Sequence, residues 1–133
     1  MTSNKTVFGA SSLIATVFAI ILGSMSTPAQ ACAVAGFAYD RVKPANTTVY
    51  YQFALDAGVL KWRVMLKDVT PGLPPPPASW TQIAAGFPGC APANISPPPY
   101  GLLNPTHFYK LRVDIWCCGA TQWTNGAYTS PAF

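Results

Sequence analysis

The sequence predicts a single all-β domain, an antiparallel β-sandwich, behind an N-terminal export signal. Three observations carry this. About seven short segments alternate apolar and polar residues with the period of two that marks a half-buried strand. Proline, glycine or Asn-Gly turn signals separate them at short intervals. No helical periodicity with caps runs through any of them. A five- or six-stranded barrel fits the same spacing.

The first 31 residues have the three parts of a secretory signal. Lys5 and the amino terminus form a basic start, residues 13–23 an apolar run, and Ala29-Gln30-Ala31 a small-x-small cleavage pattern. The apolar run is shorter than the roughly 20 residues a membrane span needs. Cleavage after Ala31 makes Cys32 the first mature residue. A lipoprotein would place the same cysteine there, but the preceding Ala29 and Gln30 depart from a lipobox. Residues 32–133 then make one domain, long enough for a single core.

A weak strand is expected at 37–42 and a stronger one at 47–55, with Val49, Tyr51, Phe53 and Leu55 on one face. Asp56-Ala57-Gly58 turns the chain. At 60–69, Leu60, Trp62, Val64 and Leu66 share a face, and Lys61, Arg63, Met65 and Lys67 share the other. Pro71-Gly72 ends that segment. The prolines at 74–77 must be extended and cannot donate to a ladder. A short strand is expected at 79–84, and the proline- and glycine-rich residues 86–99 read as loop. The clearest strand is 107–117. Tyr109, Leu111, Val113, Ile115 and Cys117 face one way, and Lys110, Arg112, Asp114 and Trp116 the other. A last segment at 122–129 is interrupted by the turn signal Asn125-Gly126.

Charged residues are only 9% of the chain and there is no Glu, while aromatics reach 13%. That balance belongs to a packed domain and excludes disorder. After cleavage Arg41, Lys43, Lys61, Arg63, Lys67, Lys110 and Arg112 stand against Asp40, Asp56, Asp68 and Asp114. The basic residues are spread along the sequence and alternate with apolar ones, which speaks against a nucleic-acid footprint. The four cysteines, Cys32, Cys90, Cys117 and Cys118, are an even set in an oxidising context, so two disulfides are expected. Zinc would need Cys-x-x-Cys spacing or histidine partners, and His107 is the only histidine. No metal and no cofactor are expected.

Catalytic sets are equally thin. A Ser-His-Asp triad would have to join His107 to Asp68 or Asp114 without a Gly-x-Ser-x-Gly elbow. A glycosidase pair would need two carboxylates about 5–10 Å apart, and only four scattered Asp are present. No enzyme is expected, and His107 reads as an exposed turn residue. What remains is surface. Trp116, Trp123, Trp80 and Tyr100 are candidate ligand contacts, since exposed aromatics stack on sugars or anchor partners; otherwise they cover the proline runs and disulfides. Asn46-Thr47-Thr48 and Asn94-Ile95-Ser96 are sequons, the second followed by Pro97.

The stretch Leu103-x-Pro105-x-x-x-Tyr109-x-Leu111-x-Val113 resembles the fibronectin type III domain. Trp62-x-Val64-x-Leu66 resembles that family's C strand. Phe53 stands near where the family usually has a Trp, and its proline-rich entry is missing. The resemblance implies a tyrosine corner at Leu103, Pro105 and Tyr109, with the Tyr109 hydroxyl bonded to backbone just upstream. It also implies that all four cysteines gather at one pole. Adjacent cysteines in a strand point to opposite faces, so the implied pairing is Cys32–Cys117 across the sandwich and Cys90–Cys118 outside it, with the swapped pairing as the alternative. The implied function is a secreted, non-catalytic binding module for an unknown protein or carbohydrate, with no nucleic acid and no membrane span after cleavage. A self-associating subunit of a filament or coat is the second reading, and a small secreted hydrolase using His107 the third.

Overall fold

The strands form where β-branched and aromatic residues alternate with polar ones. The computed structural model describes residues 31–42, 45–72 and 79–133. The export signal, apart from Ala31, lies outside the described residues, as do Lys43 and the prolines at 74–77. Seven strands follow in order: β1 (Val34–Arg41), β2 (Val49–Leu55), β3 (Val59–Asp68), β4 (Thr81–Gly86), β5 (Ala93–Ile95), β6 (Tyr109–Cys117) and β7 (Thr124–Thr129). No helix occurs among the described residues, so none is long and apolar enough to cross a membrane.

Two antiparallel sheets pack face to face. One has the order β1-β2-β5 and the other β4-β3-β6-β7. The longest ladder joins β3 to β6, from Val59 opposite Cys117 to Asp68 opposite Tyr109. The core lies between the sheets. β2 gives Val49, Tyr51, Phe53 and Leu55; β3 gives Val59, Trp62, Val64 and Leu66; Leu103 and β6's Tyr109, Leu111, Val113 and Ile115 complete it. Leu111 and Val113 are 0% exposed, and each such side chain contributes about 1.5–3 kcal/mol by leaving water. Phe53 meets Trp62 edge-on at 5.4 Å, a favoured aromatic geometry. The Trp62 indole needs Gly86 beside it: a Cβ there would come within 2.5 Å of the ring nitrogen.

Four details depart from the alternation pattern. β1 starts at Val34, with a bulge between Ala35 and Ala38 at Gly36, whose φ is 60°. In β3 the register shifts between Val59 and Lys61, so Val59 is fully buried while Leu60 is only half-buried. The proline-rich 86–99 stretch is not all loop: Ala93–Ile95 form β5, which crosses to the first sheet and pairs with β2. Asn125-Gly126 is not a turn but an irregularity inside β7, where pairing with β6 jumps between Val113 and Ile115.

One pole is closed by sulfur. Cys32 bonds Cys117 and Cys90 bonds Cys118, with Cα–Cα distances of 5.8 and 6.0 Å. Cys90 takes a left-handed φ of 66°, and its N–H donates to the Val59 carbonyl at 2.9 Å. The Cys118 N–H donates to the Gly58 carbonyl at 2.8 Å. A side chain at Gly58 would collide with the Ala31 carbonyl.

The other pole is closed by Tyr109 and Arg41. The Tyr109 hydroxyl accepts the Asn104 N–H at 2.8 Å. Arg41, from the opposite sheet, donates to four carbonyls: Asn46 (2.8 Å), His107 (2.6 Å), Asn104 (2.7 Å) and Phe133 (3.2 Å). Its guanidinium sits 5.3 Å from the Tyr109 ring centre.

Candidate functional site

β-alternation does more than build the core. It sends every second residue of β3 and β6 to the outer face of the four-stranded sheet. Lys61, Arg63, Met65 and Lys67 come from β3; Lys110, Arg112, Asp114 and Trp116 come from β6. Register then sets the neighbours: Lys61 lies opposite Trp116, Arg63 opposite Asp114, Met65 opposite Arg112 and Lys67 opposite Lys110. Basic residues that look dispersed in sequence are thus concentrated in space. This corrects the expectation of a scattered charge: five of the seven basic residues in 32–133 share one sheet face.

Asp114 organises the centre of that face. Although it points outward, its side chain is 0% exposed. Arg63 Nε donates to Oδ2 at 2.8 Å, and Arg112 Nη2 donates to the same oxygen at 2.9 Å. Arg112 Nε lies 2.8 Å from Oδ1 but is out of line for a hydrogen bond, so there it contributes charge alone. The Gly126 N–H donates to Oδ1 at 2.9 Å, and Arg63 also donates to Asn125 Oδ1 at 3.1 Å. These two bonds explain why Asn125-Gly126 stays in the strand: with a φ of 74° at Gly126, the bulge aims an amide at the buried carboxylate. Burial pushes the Asp114 carboxyl up, but the Arg112 hydrogen bond, the Gly126 amide and Arg63 outweigh it and hold the group below the usual carboxylate range.

Three indoles interleave with the cations. Lys61 Nζ sits 4.5 Å from the Trp116 ring centre and 5.1 Å from that of Trp123. The Arg63 guanidinium is 4.2 Å from Trp123. The Arg112 guanidinium is 4.7 Å from Trp80, and Lys67 Nζ 5.8 Å from it. Trp116 and Trp123 meet edge-on at 5.6 Å, and Trp116 Nε1 donates to the Ala120 carbonyl at 3.1 Å. The result is a continuous ladder of Trp116, Lys61, Trp123, Arg63, Asp114, Arg112, Trp80 and Lys67. Each cation–π contact is worth about 0.5–2 kcal/mol, depending on its exposure.

Of the four aromatic candidates, Trp116, Trp123 and Trp80 are brought together here, each half-buried. Tyr100 is elsewhere. It exchanges backbone hydrogen bonds with Val49 at 2.9 and 3.1 Å and packs against the core. Among the described residues the large apolar side chains open to solvent are Tyr50, Phe87, Leu102 and Phe108.

His107 lies on the opposite pole from the disulfides, and it is not a free turn residue. Its Nδ1 meets Asp68 Oδ2 at 2.5 Å, with the imidazole side chain 27% exposed. The Thr70 hydroxyl and N–H donate to Asp68 Oδ1 at 2.6 and 3.0 Å. Desolvation raises the Asp68 carboxyl, but the two Thr70 bonds and the His107 ring outweigh it and keep it low. The Thr70 hydroxyl also accepts the Phe108 N–H at 2.9 Å. This cluster ties the end of β3 to the start of β6. Asp114, enclosed by its arginines, is remote from it in register. Among the described residues no group of three or more His, Cys, Asp or Glu could hold a metal ion.

Sequence reasoning assigns no role to Arg41 and weighs Asp114 only as a partner for His107; their part in the fold and in this face comes from strand pairing. Comparison of the chain with protein-family models, with curated proteins and with solved structures finds no match.

Proposed function

We propose that the mature chain is a secreted, disulfide-stapled binding module of the fibronectin type III kind, which recognises its ligand on the outer face of the four-stranded sheet. The single observation that carries this reading is the ladder around Asp114. A polar surface normally needs no such order. Here a buried carboxylate, two arginines, two lysines and three indoles fix one another in a defined array. Such preorganisation lowers the entropic cost of holding a ligand.

Family membership has support of its own. The Asn104 N–H to Tyr109 hydroxyl bond has the form of a tyrosine corner. The packing of the β1-β2-β5 sheet on the β4-β3-β6-β7 sheet fits the antiparallel sandwich that the resemblance implies. Two disulfides fit an exported protein. His107 is bonded to Asp68, which Thr70 also bonds, in a cluster that ties two strands together; the reading gives His107 this structural role.

The test is to express residues 1–133 in an exporting host and follow the product. The expected product lacks residues 1–31, elutes as a monomer and is retained saturably on the extracellular surface of its source; His107→Ala leaves that retention unchanged. A cell-retained precursor would overturn the reading. So would high-mass assemblies, which favour the filament or coat subunit, or a hydrolytic activity lost in His107→Ala.

A further inference from the structure

The ladder gives the arginines a carboxylate partner but leaves the lysines without one. All four carboxylate side chains of the chain are described. Asp114 is taken by Arg63 and Arg112. Asp68 is taken by His107 and Thr70. Asp56 accepts the Ala33 N–H at 3.0 Å, and Asp40 lies on β1 of the other sheet. There is no Glu. Lys61, Lys67 and Lys110 therefore stand on one face with no ion pair among the described residues. Lys67 and Lys110 are direct cross-strand neighbours. Like charges so placed destabilise a sheet, and none of the carboxylate side chains forms an ion pair with them. A face that keeps this repulsion is complementary to an anion it has yet to meet.

We propose that this face binds a linear acidic polysaccharide, one bearing sulfate or carboxylate groups on successive sugars. The proposal rests on the binding-module reading and names its ligand class. Three features select a chain of this kind. First, Lys61 and Lys67 are six residues apart on one strand, a span of about 20 Å, and β6 runs alongside about 4.8 Å away. The charges thus form two parallel rows suited to an extended polymer. Second, the indoles already carry cations: Lys61 on Trp116, Arg63 on Trp123 and Arg112 on Trp80. They position the charges and are not open as platforms for stacking nucleic-acid bases. Third, none of the large exposed apolar side chains lies on β3, β6 or β7, so the ladder has no apolar wedge to insert in a bilayer. Anionic groups would meet the three ammonium groups and the outer edges of the Arg63 and Arg112 guanidiniums.

Titration calorimetry tests this on the protein expressed from residues 1–133 with both disulfides formed. The probes are heparin (sulfate-bearing), polygalacturonate (carboxylate only), dextran, short duplex DNA, and phosphatidylcholine vesicles containing phosphatidylserine. At low salt at least one of the two acidic polysaccharides should bind, and binding should weaken steeply as salt shortens the screening length. Which of them binds assigns sulfate or carboxylate. The triple variant Lys61→Gln, Lys67→Gln, Lys110→Gln should bind about tenfold or more weakly, a free-energy change of about 1.4 kcal/mol or more. The same variant should still melt cooperatively with both disulfides formed, its Tm set by the lost Lys61 and Lys67 cation–π contacts against the relief of the Lys67–Lys110 repulsion; a cooperative melt separates lost contact from lost fold. The proposal is overturned if both acidic polymers bind no better than dextran, if the triple variant binds like the parent, or if DNA or the vesicles bind more tightly than either polysaccharide. Saturable retention on the source's surface together with failure here would sink this proposal and leave the binding module standing.

Discussion

At the scale of single residues, the decisive feature is a charge that points outward and is nevertheless buried. Alternation correctly puts Asp114 on the solvent side of β6, but alternation says nothing about what lies on top of it. The cover comes from Arg63 on the next strand, Arg112 two residues earlier and the Gly126 amide beyond a turn, and only register brings these together. The acid limb of stability should report this. Asp68 and Asp114 titrate below the usual carboxylate range in the fold and near 3.9 when unfolded. The unfolded state therefore binds protons first as pH falls. The stability these groups provide is complete above about pH 5 and is lost as the pH drops through their folded values. In Asp114→Asn, denaturant titrations at pH 7 should show a loss of about 3 kcal/mol or more, since two arginines lose a buried partner. Its stability should also fall less between pH 5 and pH 3 than the parent's, by the share that Asp114 contributes. An unchanged acid limb would contradict the assignment.

At the scale of elements, strand positions were readable wherever apolar residues alternate over five or more positions, as in β2, β3 and β6. They were not readable where pairing comes from outside the segment. β5 has three residues, set among prolines, and exists only because Phe53, Ala54 and Leu55 offer partners. Likewise the slip at Val59 depends on where Cys117 falls in the facing strand, which no single segment encodes. β4 shows a related dependence. Its last residue, Gly86, lies on the Trp62 indole with no room for a methyl. Gly86→Ala must displace either the ring or the edge strand. Such overpacking costs about 1–3 kcal/mol, and a thermal melt should show a correspondingly lower Tm. Amide exchange should show protection lost first in β4, with β6 the last to open. Uniform loss across both sheets would mean that the strain spreads and does not stay at the edge.

At the scale of the whole molecule, the two poles are fastened by different chemistry. The disulfide pole depends on oxidation. Cys32 and Cys117 are separated by 85 residues, Cys90 and Cys118 by 28. By loop-closure entropy, removing the first bridge should cost about 4–5 kcal/mol and removing the second about 3–4 kcal/mol. Urea midpoints of Cys32→Ser/Cys117→Ser and Cys90→Ser/Cys118→Ser double variants check the order. If the longer loop proved the cheaper one to lose, the entropic account would fail here. The candidate site, by contrast, lies on the sheet face between the poles, and its charges became visible only once the strands were paired. Lys61, Arg63, Lys67, Lys110 and Arg112 occupy five separate places in sequence, and one face in space.

The Arg41 clasp has a consequence in time. Its donors reach carbonyls 63, 66 and 92 residues further along, so contacts of very high sequence separation meet at a single guanidinium. A chain emerging from its amino end presents Arg41 early, meets the Asn46 carbonyl at once, and waits for those of Asn104, His107 and finally Phe133. Its fourth bond can close only after the residues beyond β7 have been made. Arg41 thus works as a late latch: its bond to Phe133, 92 residues away, is the last of the four it can make.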